Sequence, residues 1–270
     1  MYTMPQPMHP DVGIMSPSRI PLLLYLARTE LQRRYAGTAG GVAWTLLAPV
    51  ALIGAMWVAL DLGLGMRAIA GPGYGIRLVV GMVAWLAFAD SVSDATSAIV
   101  RNPHLVKKMV FPVELLPLAS VGAAFAVHLG LVAVLAVALG AMGHLDPRLL
   151  WTLPLWTLLS LVLATGMALV VSSLNVFVRD MQAVVPLVVT LWFWLTPIVW
   201  PLAQVPQEWR WLAMLNPMGI VVEGYRSALT GAPLPFDIGA AGLAVGLAAA
   251  VCGLTSMLFS VLRPSFADSL

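Results

Sequence analysis

The chain has 270 residues, of which 60% are hydrophobic and only 10% are charged. Because soluble domains carry about 25% charged residues, this composition excludes an ordinary soluble domain and indicates an integral membrane protein. The formal net charge of +2 is too small to suggest nucleic acid as a partner, and the single cysteine, Cys252, excludes a disulfide framework.

The first element predicted in the chain is an amphipathic helix at residues 19–37, which follows a tail at 1–18 that we expect to be flexible and cytoplasmic. Its leucines can share one side while its arginines reach water or phosphate, as in a helix lying on the inner leaflet. The arginines either only anchor the topology or also bind the phosphates of a lipid-linked substrate. They are Arg28, Arg33 and Arg34.

Six stretches are long and apolar enough to cross a bilayer, which requires about 20 mostly apolar residues. These predicted spans are 42–62, 78–99, 113–142, 151–173, 183–200 and 238–262. With the N-terminus in the cytoplasm, inner segments hold nine of the 14 Lys and Arg residues and outer segments hold the other five. The excess of basic residues inside predicts that both termini are cytoplasmic. The six apolar spans predict an all-α membrane protein. Residues 19–270 are predicted to form one transmembrane domain.

The inner connector between the second and third spans, residues 99–117, is a candidate docking element. Pro103 disfavours helix at the residue before it, so a short helix can begin there, with an apolar edge at Leu105 and Val106. Such a basic cytoplasmic piece is suited to docking on another protein, although a plain topogenic loop remains the alternative. The candidate docking residues are Arg101, Asn102, His104, Lys107 and Lys108.

Few polar groups lie inside the predicted spans. Asp90 and Asp94 sit four residues apart in the second span, where they either join helices or line a pore, since a carboxylate within the bilayer is costly. His128 is alone in the third span and is expected to be a packed histidine. Asp61 ends the first span and is expected to be solvated near the outer surface.

Sequence motifs for catalysis or metal binding are missing. The four histidines lack metal-ligand spacing, so no metal site is expected. No GxxxxGK[ST] loop occurs, so the chain is not predicted to hydrolyse ATP itself. It is therefore predicted to be no enzyme, and any ATP-driven step would need another subunit.

The stretch from Trp192 to Pro217 holds five of the ten tryptophans. Pro197, Pro201 and Pro206 break the helix, because proline removes a backbone donor. Broken backbone is tolerated at membrane depth only where it is buried in protein or lines a cavity. Two short helices are predicted to follow this break. Their ranges are 207–215 and 218–230.

Four stretches together resemble the permease subunit of ABC-2-type exporters of polysaccharides, notably the O-antigen and teichoic acid export permeases. In order, they are ELQRRYAGTAGGVAWTLLAP (30–49), LVKKMVFPVELLPLASV (105–121), LNVFVRDMQAVVP (174–186) and WFWLTPIVWPLAQVPQEWRWLAMLNPMGIVVEGYRSAL (192–229). The resemblance covers nearly the whole chain beyond about residue 28. A drug or lipid exporter of the same architecture is the alternative, and a membrane-embedded glycan-modifying enzyme is less favoured.

The resemblance implies a homodimeric permease in the bacterial inner membrane, joined to two copies of an ABC ATPase. Such a permease moves a glycan attached to a polyprenyl pyrophosphate from the cytoplasm outwards, and ATP and Mg²⁺ belong to the ATPase. The connector would be the coupling helix, and the amphipathic helix would lie at the substrate entrance. The two short helices would be re-entrant periplasmic helices that form an outer gate.

Aromatic side chains suit the wall and gate of a glycan channel, because their faces stack on the apolar faces of sugar rings. Anchoring at the membrane interface is the competing interpretation. On a helix, Trp192 and Trp194 point about 200° apart, so both cannot face one pore. Glu223 and Arg226 can be neighbours, as a gate pair or a surface pair. The candidate wall residues are Trp192, Trp194 and Trp200, and the candidate gate residues are Trp209, Trp211 and Tyr225.

Overall fold

The computed structural model describes residues 19–34, 40–107, 111–209, 215–236 and 238–269, and within these ranges it contains helices and no strands. The predicted tail at 1–18 lies outside the described residues. The α-helices, in chain order, are α1 (Ile20–Arg34), α2 (Trp44–Trp57), α3 (Met66–Ala70), α4 (Tyr74–Thr96), α5 (Pro103–Val106), α6 (Leu115–Ala141), α7 (Leu153–Phe177), α8 (Met181–Leu195), α9 (Pro217–Thr230), α10 (Ile238–Leu262) and α11 (Phe266–Ser269).

Five helical segments of the described chain are long and apolar enough to cross a membrane. They are Trp44–Gly63, Tyr74–Thr96, Leu115–Ala141, Leu150–Phe177 and Val245–Ser265. The predicted span at 183–200 is represented by α8, which has only 15 residues and is about 22 Å long. It ends at Leu195 because Thr196 is extended before Pro197, and the residue before a proline disfavours helix.

Helices α4 and α7 form the centre of the protein, and α2, α8 and α10 lie around them. In the most apolar part of α4, 67% of the residues are buried, against 11% in the first span. Along α8, large apolar side chains such as Leu187 and Leu191 are more than half exposed. These outer helices therefore present apolar faces that only lipid or another protein chain can cover.

The outer end of the first span differs from the prediction. After α2 the chain continues as a π-helical turn, Val58–Gly63, that carries Asp61 into the protein, where it is 6% exposed. Its carboxylate accepts hydrogen bonds from Trp57 Nε1 at 3.1 Å and Arg67 Nη2 at 2.9 Å. The expectation of a solvated Asp61 is therefore wrong, because the turn places its carboxylate between donors from α2 and α3.

The end of the protein that is predicted to be cytoplasmic has a small apolar cluster of its own, separate from the main core. It joins the ends of α4, α7 and α10 to the connector and to α11, whose Phe266 is fully buried. Val106 is a buried member of this cluster, and Leu105 packs against it. Leu105 and Val106, which were predicted to form an apolar docking edge, therefore pack into the protein itself.

Helix α9 is defined by local signals at both ends. The Asn216 side chain accepts hydrogen bonds from the backbone N–H groups of Met218 and Gly219, and Pro217 fits the first helical position. Gly231 ends the helix with φ 69°, a left-handed conformation that favours glycine. These bounds match the predicted 218–230 within one residue. Nearly all of α9 is buried, against α4 and α7.

Candidate functional site

The broken backbone after α8 is buried and hydrogen-bonded by side chains from elsewhere in the chain. The carbonyl oxygens of Pro197 and Ile198 accept from Arg226 Nη1 at 2.9 Å and Nη2 at 3.1 Å. The next carbonyl, that of Val199, accepts from the Tyr74 hydroxyl at 2.8 Å. Since an unpaired carbonyl at membrane depth is costly, these donors explain how the break is tolerated.

Arg226 is the central residue of this arrangement. Its Nη1 also binds Glu223 Oε1 at 2.6 Å, and its Nε donates to the carbonyl of Arg77 on α4 at 3.0 Å. The two side chains of the pair are 5% and 15% exposed, so the surface-pair interpretation is wrong. Space for the guanidinium comes from Gly81, where a Cβ atom would lie 3.1 Å from Arg226 Nη2.

A second set of hydrogen bonds links the end of α8 to the start of α9. Asn216 Oδ1, which caps α9, also accepts from Trp192 Nε1 at 3.0 Å. Asn216 Nδ2 donates to Thr196 Oγ1 at 2.8 Å, and that hydroxyl donates to the carbonyl of Trp192 at 2.8 Å. The orientation of the Trp192 ring is therefore fixed by the same side chain that begins α9.

Tyr225, predicted as a gate aromatic, lies in the interior and is fully buried. Its hydroxyl lies 2.7 Å from His128 Nε2 and 2.6 Å from Thr157 Oγ1, on α6 and α7. His128 is thus a packed histidine, as predicted, and it is hydrogen-bonded as buried polar groups usually are. In this protomer Tyr225 holds α9 against two other helices, and it does not line either described cavity.

Three of the predicted aromatics meet in one cavity of about 500 Å³, which we call the outer pocket. Trp192, Trp200 and Trp209 line it, together with Leu195, Val205, Leu215, Asn216 and Pro217. The indole N–H of Trp200 donates to the carbonyl of Trp194 at 2.8 Å, and that of Trp192 is held by Asn216. These two rings therefore offer a ligand their faces and edges rather than a free N–H.

Trp194 lies on the other side of α8, as the 200° separation predicted. It lines a groove of about 380 Å³ between α2, α4 and α8, which we call the lateral groove. Trp85 and Phe193 supply further rings there, while Asp90, Ser93 and Thr190 add the polar groups. Asp90 therefore borders an open groove, which favours the lining interpretation over simple helix contact.

The connector presents its polar residues outwards. His104 and Lys107 are exposed, while Arg101 and Asn102 are half-buried. Asn102 Nδ2 donates to the carbonyl of Ala98 at 2.8 Å, and Arg101 Nη2 reaches Glu30 on α1 at 3.0 Å. Lys108 lies outside the described residues. A partner approaching this part of the connector would meet cationic and imidazole groups rather than an apolar edge.

The arginines of α1 are placed differently from one another. Arg28 is exposed, whereas Arg33 pairs with Glu30 on the same helix at 2.8 Å. The side chain of Arg34 and the predicted continuation of the helix to 37 lie outside the described residues. Four leucines of α1, Leu22, Leu23, Leu26 and Leu31, are half-buried, and α1 packs on α6. Leu24 and Tyr25 are 64% and 66% exposed.

Comparison with known proteins identifies the family. The ABC-2 type transporter family matches residues 21–230. This chain belongs to the ABC-2 type transporter family. Two relatives from Klebsiella pneumoniae and one from Myxococcus xanthus carry the name O-antigen export system permease protein RfbA. They are 28%, 27% and 30% identical to it, over 92% of this chain and 95% of each relative.

The ABC-2 match covers every element described above up to the end of α9, including α1, the connector, the break and the buried Arg226. The chain is accordingly a multi-pass membrane protein, and its relatives are transport permeases. Within the described ranges no three His, Cys, Asp or Glu side chains are grouped as ligands of a metal ion would be.

Several important residues of this ABC-2 protein were not singled out from the sequence. Tyr74 bonds a carbonyl of the break 125 residues away, and Asn216 bonds the Thr196 hydroxyl 20 residues away, and nothing local in the sequence marks either residue for these contacts. Glu30 and Glu114 link α1 to distant segments. A usable signal existed for Glu114, since a lone acid next to a span among basic residues requires a cationic partner.

Proposed function

We propose that the chain is the permease subunit of an ATP-driven exporter that moves a lipid-linked, O-antigen-like polysaccharide out of the cytoplasm across the bacterial inner membrane. The observation that carries this proposal is the outer pocket beside a buried backbone break, in a protein whose curated relatives are O-antigen export permeases. The working unit is proposed to be a homodimer with two ABC ATPase subunits, which supply the ATP and Mg²⁺ sites.

The outer pocket suits a polymer rather than one preferred small molecule. Two of its tryptophans have their N–H groups occupied, so stacking on sugar CH faces is the contact they offer. Stacking depends little on the positions of hydroxyl groups, and successive sugars could therefore pass without one being trapped. Trp192, Trp200 and Trp209 are proposed to contact the glycan here, and Trp194 in the lateral groove. Trp211, outside the described residues, remains a predicted gate residue.

The outer gate is proposed to be the segment from the break to Gly231. Helix α9 and the Glu223–Arg226 pair would hold it, because the pair also fixes the carbonyls of the break. Tyr225 would contribute from the interior, through the helix packing rather than by contact with the glycan. The 3₁₀ turn at Gln207–Trp209 begins the first predicted gate helix, whose remainder falls largely outside the described residues.

The membrane arrangement is proposed to have six crossings, with α8 and the buried segment after it completing the fifth. Both termini would be cytoplasmic, as the nine inner and five outer basic residues favour. The exposed apolar faces of α2 and α8 support a second copy of the chain as a neighbour. A cytoplasmic ATPase would then reach the connector, where His104 and Lys107 are exposed beside Arg101, Asn102 and Lys108.

The substrate entrance is proposed to lie at α1, on the cytoplasmic side. Its exposed Arg28 is placed to meet a pyrophosphate, and Arg33 could do so by exchanging its Glu30 contact. Arg34 remains a predicted member of this group. Exposed Leu24 and Tyr25 would meet the lipid part of the same molecule.

The decisive experiment combines assembly with transport. The tagged permease is expressed together with a candidate ABC ATPase subunit, and the complex is purified and tested for ATP hydrolysis. We expect co-purification and hydrolysis stimulated by the lipid-linked glycan, and surface glycan should vanish when the permease gene is deleted. A permease that binds no ATPase, or whose deletion leaves surface glycan unchanged, would refute the proposal. Export of lipid or drugs alone would favour the alternative exporter.

The role of the aromatics needs its own comparison. Trp209→Ala and Trp192→Phe remove indole surface from the outer pocket, and Trp151→Ala removes a tryptophan elsewhere that is 75% exposed. We expect the first two to reduce export of long glycans at least fivefold at unchanged ATPase assembly, with Trp151→Ala close to wild type. Equal effects from all three would mean that the aromatics serve only as membrane anchors.

A further inference from the structure

Helix α1 is attached to both ends of the connector. Arg19, directly before α1, binds Glu114 at the far end of the connector, with Nη1 and Oε1 2.6 Å apart. Eleven residues later, Glu30 binds Arg101 at the near end, with Oε1 and Nη2 3.0 Å apart. The two attachment points on α1, Arg19 and Glu30, are thus about 16 Å apart along the helix axis.

Both ion pairs are more buried than ordinary surface ion pairs. The Glu114 and Glu30 side chains are only 6% and 13% exposed, and their arginines are 23% and 29% exposed. Arg101 Nη2 also donates to the carbonyl of Asp94 at the end of α4. Each carboxylate is therefore held mostly out of water and depends on its arginine partner.

Apolar packing adds a third attachment between the two ion pairs. Helix α1 lies along α6, and a Cβ atom added at Gly122 would lie 3.3 Å from the Cβ of Ala27. The other side of α1 is free, with Leu24 and Tyr25 exposed. A helix fixed along one side and at both ends moves with the element that holds it.

We infer that the Arg19–Glu114 and Glu30–Arg101 ion pairs make α1 and the connector one moving body, so that displacement of the connector by the ATPase moves the helix at the substrate entrance. Arg19, Glu30 and Glu114 are thereby positioning residues for transport. They touch neither ATP nor glycan, and they act through α1. The inference rests on the proposed function, because it takes the connector as the ATPase contact and α1 as the entrance.

The chain offers a matched control for this inference. Glu114 has a second arginine partner, Arg263, at 3.6 Å, which comes from the end of α10 and not from α1. Arg263→Gln therefore removes a cation from the same carboxylate without detaching α1. Arg19→Gln with Glu30→Gln detaches both ends of the helix, and Arg19→Lys with Glu30→Asp keeps both charge pairs.

The test measures hydrogen exchange in the purified permease–ATPase complex, with and without ATP, using a hydrolysis-deficient ATPase. In the wild type we expect ATP to change exchange in the connector and in α1. In R19Q/E30Q the connector response should remain, whereas the α1 response should fall at least threefold. R263Q and R19K/E30D should respond as the wild type does. Export of surface glycan should fall at least tenfold in R19Q/E30Q alone, with basal ATP hydrolysis within twofold.

Other outcomes distinguish a failure of this inference from a failure of the proposed function. An undiminished α1 response in R19Q/E30Q, or no α1 response in the wild type, would overturn the inference. Loss of ATPase binding in R19Q/E30Q would also overturn it, since the ion pairs would then serve assembly. A wild-type connector that does not respond to ATP at all would instead count against the proposed function, because no ATPase contact would have been made.

Discussion

The break after α8 and the connector are both irregular segments, but they are held in different ways. At the break, buried side chains donate to backbone carbonyls, and Arg226 alone binds two of them as well as the carbonyl of Arg77 on α4. At the connector, two ion pairs and a small apolar cluster do the holding. The Arg226 side chain is 5% exposed, whereas the arginines of the connector pairs are 23% and 29% exposed and reach water.

The difference teaches which part of the molecule can move at low cost. Detaching a buried arginine from carbonyls and a carboxylate leaves all of them unpaired, which is strongly destabilising. Separating an ion pair of the connector costs less, because its arginine already reaches water. The break is therefore the more firmly fixed of the two segments, and the connector pairs are the easier ones to break by substitution.

Replacing Arg226 should have the largest effect. Arg226→Met leaves Glu223 and the carbonyls of Pro197 and Ile198 without their donor, and we expect a loss of about 3–5 kcal/mol in the free energy of unfolding. The free energy of unfolding is measured by titrating the purified protein with a denaturing detergent. Arg148→Met, at an exposed outer arginine, is the control. Similar stability of the two variants would end the distinction between the regions.

Tyr225→Phe should have the next largest effect. It removes the hydroxyl shared by His128 and Thr157 inside the protein, and we expect a cost of about 1–3 kcal/mol. Tyr25→Phe changes a tyrosine that is 66% exposed and should leave stability unchanged. The same titration decides the matter, and a neutral Tyr225→Phe would show that the buried network is dispensable.

Substitution of Asn216 tests whether its side chain stabilises the start of α9. Asn216→Ala removes the helix cap and the bonds to Trp192 and Thr196, and we expect a cost of about 1–2 kcal/mol. Asn216→Asp keeps the accepting oxygen and loses only the donor to Thr196, so it should be less harmful. Stability and the tryptophan emission spectrum report the cap and the Trp192 bond respectively. Equal effects of the two variants would contradict the capping role.

Arg33→Gln should have the smallest effect. The Arg33 side chain is 47% exposed, and its pair with Glu30 lies within one helix, so we expect less than about 0.5 kcal/mol. Glu30 also keeps Arg101 in this variant. A loss as large as that of Asn216→Ala would show that the cytoplasmic contacts are as rigid as the outer ones.

Local signals in the sequence were sufficient for some elements. Asn216, Pro217 and Gly231 define α9 within one residue, since a cap, a first-position proline and a left-handed glycine act on neighbouring backbone. Apolar runs located the five long spans for the same reason. The 200° separation placed Trp192 and Trp194 on different sides of α8, where they line different cavities.

Local sequence signals could not predict contacts between residues that lie far apart in the chain. Arg226 lies 149 residues from the Arg77 carbonyl that it binds, and Glu30 lies 71 residues from Arg101. Val106 was expected to face a partner, and it packs into the cytoplasmic cluster because α11 returns there. Asp61 was expected to meet water because the π-helical turn after α2 has no pattern in the sequence.

The short length of α8 has a consequence for the surrounding bilayer. A helix of about 22 Å does not match a hydrocarbon layer of about 30 Å, so wherever lipid meets α8 the layer must thin or the helix ends must be shielded. Thinning reduces the thickness of the hydrocarbon layer on the side of α8 that carries Trp194. Where the layer thins, a polar headgroup beside α8 would meet a shorter stretch of hydrocarbon than beside a full-length span, and hydrophobic mismatch would itself lower the barrier to its passage.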